Sequence, residues 1–108
     1  MPAQSGRVIE VRPDDRVLIL GIPEPAALRE MALRLISGVV VALGEDEAVA
    51  EARRAHRDLA NVMCIRATPD EIPWRDSWFT RVIDLREGDW PDPDKVAREI
   101  RRVLAPGS

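Results

Sequence analysis

The stretch RVLILGIPEP, residues 16–25, predicts a buried strand that runs into a turn and then into a helix. RVLIL is a short, continuous apolar run that ends at Gly21, which is typical of a strand covered on both faces. Pro25 suits the first position of a helix, and Glu24 before it places a negative charge at the positive end of the helix dipole. These ten residues therefore predict the opening of an α/β domain.

The rest of the chain alternates between the apolar patterns of buried strands and amphipathic helices. Further strands are predicted at residues 38–43, 61–66 and 80–85, with a second helix after the acids at 45–47 and a last helix beginning at Asp92 and Pro93. VIEV at residues 8–11 fits either a short strand, which we favour, or the end of a helix. The expected inner faces of the three helices are Leu28, Met31, Ala32, Leu35 and Ile36, then Val49, Ala52 and Leu59, and finally Val96, Ile100, Val103 and Leu104. Ser37 and Gly38 predict the end of the first helix.

Composition excludes several classes of function. The chain has 108 residues, which predicts one domain, and a net charge of −3 with acids and bases interspersed, so it lacks the basic stripe that nucleic acid requires. One cysteine and one histidine allow neither an intrachain disulfide nor a metal cluster. Because no apolar run approaches the ~20 residues that span a bilayer, we expect a cytoplasmic protein with no membrane or nucleic-acid partner.

Three segments stand in the order and spacing of one family's motifs: RPDDRVLILG at 12–21, IPWRDSWFTRVID at 72–84 and WPDPDKVAREIRRVLAPGS at 90–108. They resemble its R-P-G-D-R-V-L-D-L-G opening, its approach to the fourth strand and the helix that ends in P-G-G. The chain thereby resembles the class I S-adenosylmethionine-dependent methyltransferases, in particular methyltransferase type 11. The resemblance implies a three-layer, Rossmann-like, doubly wound sheet, mostly parallel, in the order 3-2-1-4. Against the family the chain is truncated, so residues 1–108 are expected to form one truncated domain.

The positions that hold the cofactor in the family depart from its pattern. The resemblance places the family's G-x-G-x-G turn at residues 21–25, where Gly21 is followed by Ile22 and Pro23 and where two prolines remove N–H donors. Leu43 occupies the position of the acid that binds the ribose, and Thr68 that of the aspartate facing the adenine. These five positions are thus vestigial, and no cofactor is expected; if the family function is retained, the cofactor is S-adenosylmethionine.

Other chemically capable residues have structural interpretations beside functional ones. Asp84, near the end of the fourth predicted strand, is a weak candidate for a catalytic base, but Arg81 and Arg86 favour an ion pair. His56 is expected to be a hydrogen-bonded structural histidine rather than a general base. Cys64, within an apolar strand, is expected to be a small core residue. Near the ribose position, Glu45 and Asp46 are expected to be solvated first-turn acids, although either could reach inward.

We therefore expect a degenerate methyltransferase-like domain, a pseudoenzyme that acts through protein–protein contact. One alternative is a functional or partner-completed methyltransferase; another is a small-ligand sensor that uses the remodelled crevice.

The predicted strand order leaves the fourth strand at an open edge. An exposed apolar edge must be paired or covered. We expect a homodimer or a protein partner at this edge, with the N-terminal VIEV segment as the alternative cover. The residues expected in the contact are Val82, Ile83, Leu85, Trp78 and Trp90.

Overall fold

The computed structural model describes residues 11–85 and 92–106, within which strands and helices alternate as far as the third strand. Four parallel strands form one sheet in which the third, second, first and fourth strands of the chain lie side by side in that order, which confirms the predicted α/β class and strand order. Residues 8–10 of the VIEV segment and Trp90 lie outside the described residues, and Val11 packs against the core without belonging to a strand. The strands are β1 (Arg16–Leu20), β2 (Val39–Gly44), β3 (Val62–Arg66) and β4 (Arg81–Asp84), and the helices are α1 (Pro25–Arg34), α2 (Asp46–Ala55) and α3 (Pro93–Val103).

The sheet is covered on both faces, because alternate residues of each buried strand point to opposite sides. Val17 and Ile19 of β1 face the layer formed by α1 and α2. Leu18 and Leu20 face the opposite layer, where α3 contributes Val103. The three-layer arrangement predicted from the sequence is therefore confirmed, and β1 is buried on both sides.

The first helix ends earlier than its apolar pattern predicts. It stops at Arg34, where the N–H of Leu35 donates to carbonyl oxygens of the last turn, and the Asn61 side chain donates to the carbonyl oxygens of Ala32 (2.8 Å) and Leu35 (2.9 Å). Ile36 lies beyond the helix and is 84% exposed, so its predicted place on the inner face is wrong. The amide of Asn61 satisfies the carbonyl groups that a helix end leaves without partners, which fixes the end at this point.

The other two helices end close to their predicted positions, with one exception in each. Leu59 lies beyond α2, although it packs against the same core. Asp92 caps α3 by accepting a hydrogen bond from the Lys95 N–H (3.2 Å), with Pro93 at the first helical position, as predicted. Leu104 was expected on the inner face of α3 but lies after it and pairs with Phe79 in a parallel bridge.

A loop, rather than a helix, connects β3 to β4 and covers the second face of the sheet. It carries the ring cluster of Trp74, Trp78 and Phe79, whose centroids lie 5.0–5.4 Å apart. The guanidinium of Arg16 lies 5.3 Å from the centre of the Trp78 ring. Arg102 of α3 fastens this loop by donating to two of its carbonyl oxygens. The loop is therefore a structural layer of the domain.

At the amino end of β1, the buried carboxylate of Asp15 holds the start of the strand. It accepts hydrogen bonds from the N–H of Arg12 (2.7 Å) and the hydroxyl of Thr80 (2.8 Å), and Arg81 lies 3.7 Å away. Burial opposes ionisation of this carboxyl, but the two hydrogen bonds and the nearby arginines outweigh it and hold its pKa below the usual value. Asp15 thus connects β1 to the beginning of β4.

Within residues 11–85 and 92–106, no helix combines the length and apolar character needed to cross a membrane.

Candidate functional site

A crevice of about 200 Å³ opens at the carboxyl ends of β1, β2 and β3. This is the edge at which open α/β sheets bind ligands. Among the described residues, the charged side chains that line it are acidic, and its floor is apolar. The lining residues are Leu20, Gly21, Leu43, Gly44, Glu45, Ala67, Thr68, Pro69, Asp70 and Val96.

The loop after β1 begins a helix directly, as the sequence predicts. Gly21 adopts a φ of 121°, a conformation that favours glycine, and donates its N–H to the carbonyl oxygen of Leu43 (2.9 Å). Glu24 is the N-cap residue and Pro25 the first residue of α1. Because neither Pro23 nor Pro25 has an N–H, the loop offers fewer backbone donors to an anionic group than a glycine-rich loop would.

Ile22 fills the space beside the end of β2. A Cβ atom built on Gly44 would lie 2.5 Å from Cγ1 of Ile22, so the two residues are in close contact. Ile22 also packs against the core layer of α1 and α2. Ile22 thus joins the loop to β2 by apolar packing.

Leu43 forms part of the crevice floor and of the core at the same time. It is 3% exposed, pairs in register with Leu20 of β1 and Ile65 of β3, and packs in the layer that faces α3. An aliphatic side chain has no hydrogen-bonding atom. Leu43 therefore presents only hydrocarbon at the position where the resemblance places the ribose-binding acid of the family.

The crevice also brings together polar residues at the ends of β2 and β3. Thr68, one of the predicted positions, is exposed on its rim, and its carbonyl oxygen accepts a hydrogen bond from the N–H of Glu71 (3.1 Å). Glu45 lines the crevice, whereas Asp46 forms an ion pair with Arg66 (2.8 Å) outside its lining. Asp70 also lines it and was not singled out in the sequence. Its position two residues after Thr68, in the loop leaving β3, was the only available signal.

The remaining candidates do not join this crevice. Asp84 is exposed at the end of β4 and pairs in register with Leu20, and Arg81 forms an ion pair with Asp15 (3.7 Å). Arg86, the other expected partner of Asp84, lies outside the described residues. Cys64 is buried in the core, as predicted, and burial raises the pKa of its thiol.

His56 is buried at the end of α2. Its ring nitrogens lie within hydrogen-bond distance of the backbone carbonyl oxygens of Ala52 and Pro25, so the prediction of a structural histidine is confirmed. In the described parts of the chain, no group of three or more histidine, cysteine or acidic side chains could hold a metal ion.

No family model matches the sequence, and no curated protein matches it. Solved structures do. A SAM-dependent methyltransferase from Aquifex aeolicus aligns with a TM-score of 0.78 and 22% identity over 88% of this chain and 53% of its own. A putative methyltransferase from Haloferax volcanii, solved with the activator Trm112, aligns with a TM-score of 0.76 and 24% identity over 91% of this chain and 44% of its own. The cyclase SpnF aligns with a TM-score of 0.79 and 22% identity over 90% of this chain and 37% of its own.

The chain thus spans between 37% and 53% of the length of these three structures, and the TM-scores of 0.76 to 0.79 show a shared fold. Strand order, three-layer packing and the crevice at the carboxyl ends of β1–β3 agree with that likeness. The chain therefore has the fold of the class I S-adenosylmethionine-dependent methyltransferases.

Proposed function

We propose that this chain is a non-catalytic, methyltransferase-like module that acts through contact with another protein chain. The observation that carries the proposal is the hydrocarbon floor of the crevice. Leu43 is 3% exposed where the resemblance implies a ribose-binding acid. A hydrogen bond to a charged group contributes about 1.5–3 kcal/mol, so this position alone weakens cofactor binding roughly tenfold to a hundredfold.

The loop after β1 supports the same proposal. Pro23 and Pro25 lack the N–H groups that would meet the carboxylate of the cofactor, and Glu24 adds a negative charge beside them. Ile22 is packed against Gly44, so opening the loop toward a ligand would expose apolar surface. These features act on different parts of one ligand.

The likeness to solved methyltransferase structures is compatible with such a role, because one fold can host several functions. SpnF, with the same fold, is described as a cyclase. The Haloferax volcanii protein is bound to an activator protein, which is consistent with a partner for this fold. A partner-completed methyltransferase remains the alternative, since the chain spans 44% of that structure.

Calorimetric titration with S-adenosylmethionine is expected to give no saturable heat up to millimolar ligand. The reason is the loss of contacts at Leu43 and along residues 21–25. A quadruple variant, Ile22→Gly, Pro23→Gly, Pro25→Gly and Leu43→Asp, is expected to bind measurably. Since Leu43 is buried, circular dichroism must first show that this variant is folded.

A dissociation constant in the low micromolar range for the wild-type protein would overturn the non-catalytic proposal and favour the enzyme. Silence of the folded quadruple variant would instead show that contacts outside these four positions decide cofactor binding. Saturable binding of a different metabolite by the wild-type protein would favour the ligand-sensor alternative.

The edge of β4 is the contact surface we propose, with a second copy of the chain as its occupant. In a parallel sheet, backbone groups of alternate residues point to opposite neighbours. The N–H of Thr80 donates inward to Arg16 (2.8 Å), whereas Phe79 bonds outward to Val103 (2.9 Å) and Ala105 (2.7 Å). The N–H of Leu85 also donates inward, to Leu20 (3.1 Å), at the end of a register that pairs Val82 with Leu18. Counting back from Leu85 by this alternation, the backbone groups of Val82 point away from β1.

The available part of this edge is short and only partly apolar, because the charged residues Arg81 and Asp84 flank Val82 and Ile83. We propose a symmetric partner for it. In the described ranges, the sheet ends at β4, and beyond it lies only the parallel bridge between Phe79 and Leu104. Leu85 is 41% exposed, and Trp78 is half-buried beside the start of the strand. A two-fold axis near Ile83 would pair two β4 edges in antiparallel fashion and cover both Leu85 side chains.

Sedimentation of the wild-type protein at micromolar concentration is expected to give about twice the monomer mass of 12.1 kDa. Ile83→Lys and the less buried Leu85→Lys should each shift it toward monomer, because a buried lysine at the edge opposes pairing. Met63→Lys is the matched control, since Met63 is 42% exposed on the opposite edge strand, β3, and this variant should remain a dimer. A wild-type protein that stays monomeric at high concentration would contradict the dimer.

A further inference from the structure

His56, the one histidine of the chain, has an unusual pair of neighbours. It is 3% exposed, with Nδ1 2.8 Å from the carbonyl oxygen of Ala52 and Nε2 3.0 Å from that of Pro25. A carbonyl oxygen only accepts hydrogen bonds, and a neutral imidazole has a single N–H to donate. Only the imidazolium form satisfies both contacts.

The two contacts connect different elements. Ala52 lies four residues before His56 in the last turn of α2, whereas Pro25 is the first residue of α1. The contact with Pro25 therefore holds the start of α1 against the end of α2. Because α1 follows the loop at residues 21–24 without a break, this contact also fixes the loop that borders the crevice.

Polar and charged groups of both helices lie close to the ring. The C-terminal end of a helix attracts cations, and His56 is the C-cap residue of α2. Asp58, in the turn that follows, accepts two hydrogen bonds from Arg29 of α1 (2.8 and 2.9 Å). These bonds lower the pKa of Asp58 to about 2, and the charge of His56 contributes in the same direction. The Arg29–Asp58 pair is therefore ionised and carries no net charge.

Other charged groups lie on the neighbouring segments. Glu24 precedes Pro25 and adds a negative charge on the α1 side. On the α2 side, Arg53 donates to the carbonyl oxygen of Cys64 (2.8 Å) in β3, and Arg57 follows His56 in the chain. Burial raises the pKa of the Cys64 thiol, which therefore stays neutral.

We propose that His56 is a proton-operated latch between α1 and α2. With both ring nitrogens protonated, it closes the latch by donating to Ala52 and Pro25. When one proton leaves to water, the neutral ring keeps the bond to Ala52 within its own helix and releases Pro25. The first turn of α1 and the loop at 21–24 then loosen, which opens the border of the crevice. This latch does not depend on whether the crevice binds a cofactor.

Nitrogen NMR of the wild-type protein tests the latch, because a lone histidine gives ring signals that need no assignment by mutation. Over the range in which imidazole ordinarily titrates, about pH 5 to pH 8, we expect both ring nitrogens to be protonated at the acid end and one at the alkaline end. The exchange protection factor of the Leu28 N–H, which donates to Glu24 in the first turn of α1, should fall about tenfold across the same transition.

Two variants separate the latch from general effects of pH. His56→Gln should abolish the pH dependence of Leu28 protection. Asp58→Asn removes the Arg29–Asp58 ion pair but leaves both carbonyl acceptors of His56 in place, so the pH dependence of Leu28 protection should persist. A ring with one protonated nitrogen throughout the range, or a pH-dependent Leu28 protection that persists in His56→Gln, would overturn the proposal. If His56→Gln does not fold, the wild-type ring signals alone decide.

Discussion

Replacing Arg102 by alanine is expected to lower the free energy of unfolding by about 3 kcal/mol. Arg102 lies near the end of α3, and its guanidinium donates to the carbonyl oxygens of Ile72 and Trp74, both at 2.8 Å. It also contacts the carboxylates of Asp76 (2.7 Å) and Glu99 (2.7 and 2.9 Å). One side chain thus bonds to two carbonyl groups and one carboxylate of the loop that covers the second face of the sheet, and to Glu99 of its own helix.

The loss should be large because alanine leaves several partners without a donor at once. Glu99 also accepts a hydrogen bond from the N–H of Ile72 (2.9 Å), so both residues of the Glu99–Arg102 pair hold the loop against α3. Arg102→Lys keeps the charge but lacks the planar set of donors, so it should recover only part of the stability. Urea unfolding followed by tryptophan fluorescence measures both the stability and the order of the Trp74 and Trp78 rings.

Arg101 provides the matched control, because it is the exposed neighbour on the same helix. Arg101→Ala should change stability by less than about 0.5 kcal/mol. The fall in the free energy of unfolding at acid pH offers a second readout. The hydrogen bond from Arg102 lowers the pKa of Glu99, so its stabilisation is present above the unfolded value of about 4.3 and is lost as the pH falls through the lowered folded value. Equal losses in Arg101→Ala and Arg102→Ala would show that the network contributes nothing specific.

Local patterns were sufficient for most of the fold. The β1 run and the Asp92–Pro93 helix start depend on neighbouring residues, and both lie where the sequence predicts. Ile36 fits the helical period, but its place was decided by the Asn61 amide, which caps the carbonyl group of Leu35 from 26 residues farther along the chain. The side-chain period cannot report such a long-range hydrogen bond.

The candidate site divides in the same way. Gly21, Leu43 and Thr68 line the crevice together, because the carboxyl ends of parallel strands meet at one edge of the sheet. The contact of Ile22 with Gly44 and the pairing of His56 with Pro25 were not predictable, since each joins segments that only the folded sheet brings together. Whether the predicted vestigial positions hold a cofactor stays a prediction for calorimetry.

Gly38→Ala is the second substitution for which we expect a large effect, a loss of about 3 kcal/mol in the free energy of unfolding. In the sequence, Gly38 indicated the end of α1, but the structure gives it a different role. A Cβ atom at this position would lie 2.1 Å from the carbonyl oxygen of Asp15, which accepts the N–H of Val39 (3.1 Å). The first contact between β1 and β2 therefore requires the absence of a side chain.

Gly44→Ala is the control, because the same methyl group meets a side chain there instead of backbone. Its Cβ would lie 2.5 Å from Cγ1 of Ile22, which is half-buried and can rotate, so we expect a loss of about 1 kcal/mol. In Gly38→Ala, relief requires the Asp15 backbone to move, and Asp15 is held by Arg12 and Thr80 through its carboxylate. Thermal and urea unfolding of both variants measure the difference. Equal losses would mean that the edge of the sheet at Asp15 yields as easily as the Ile22 side chain, and the tight approach of β1 and β2 would then not be what selects glycine at position 38.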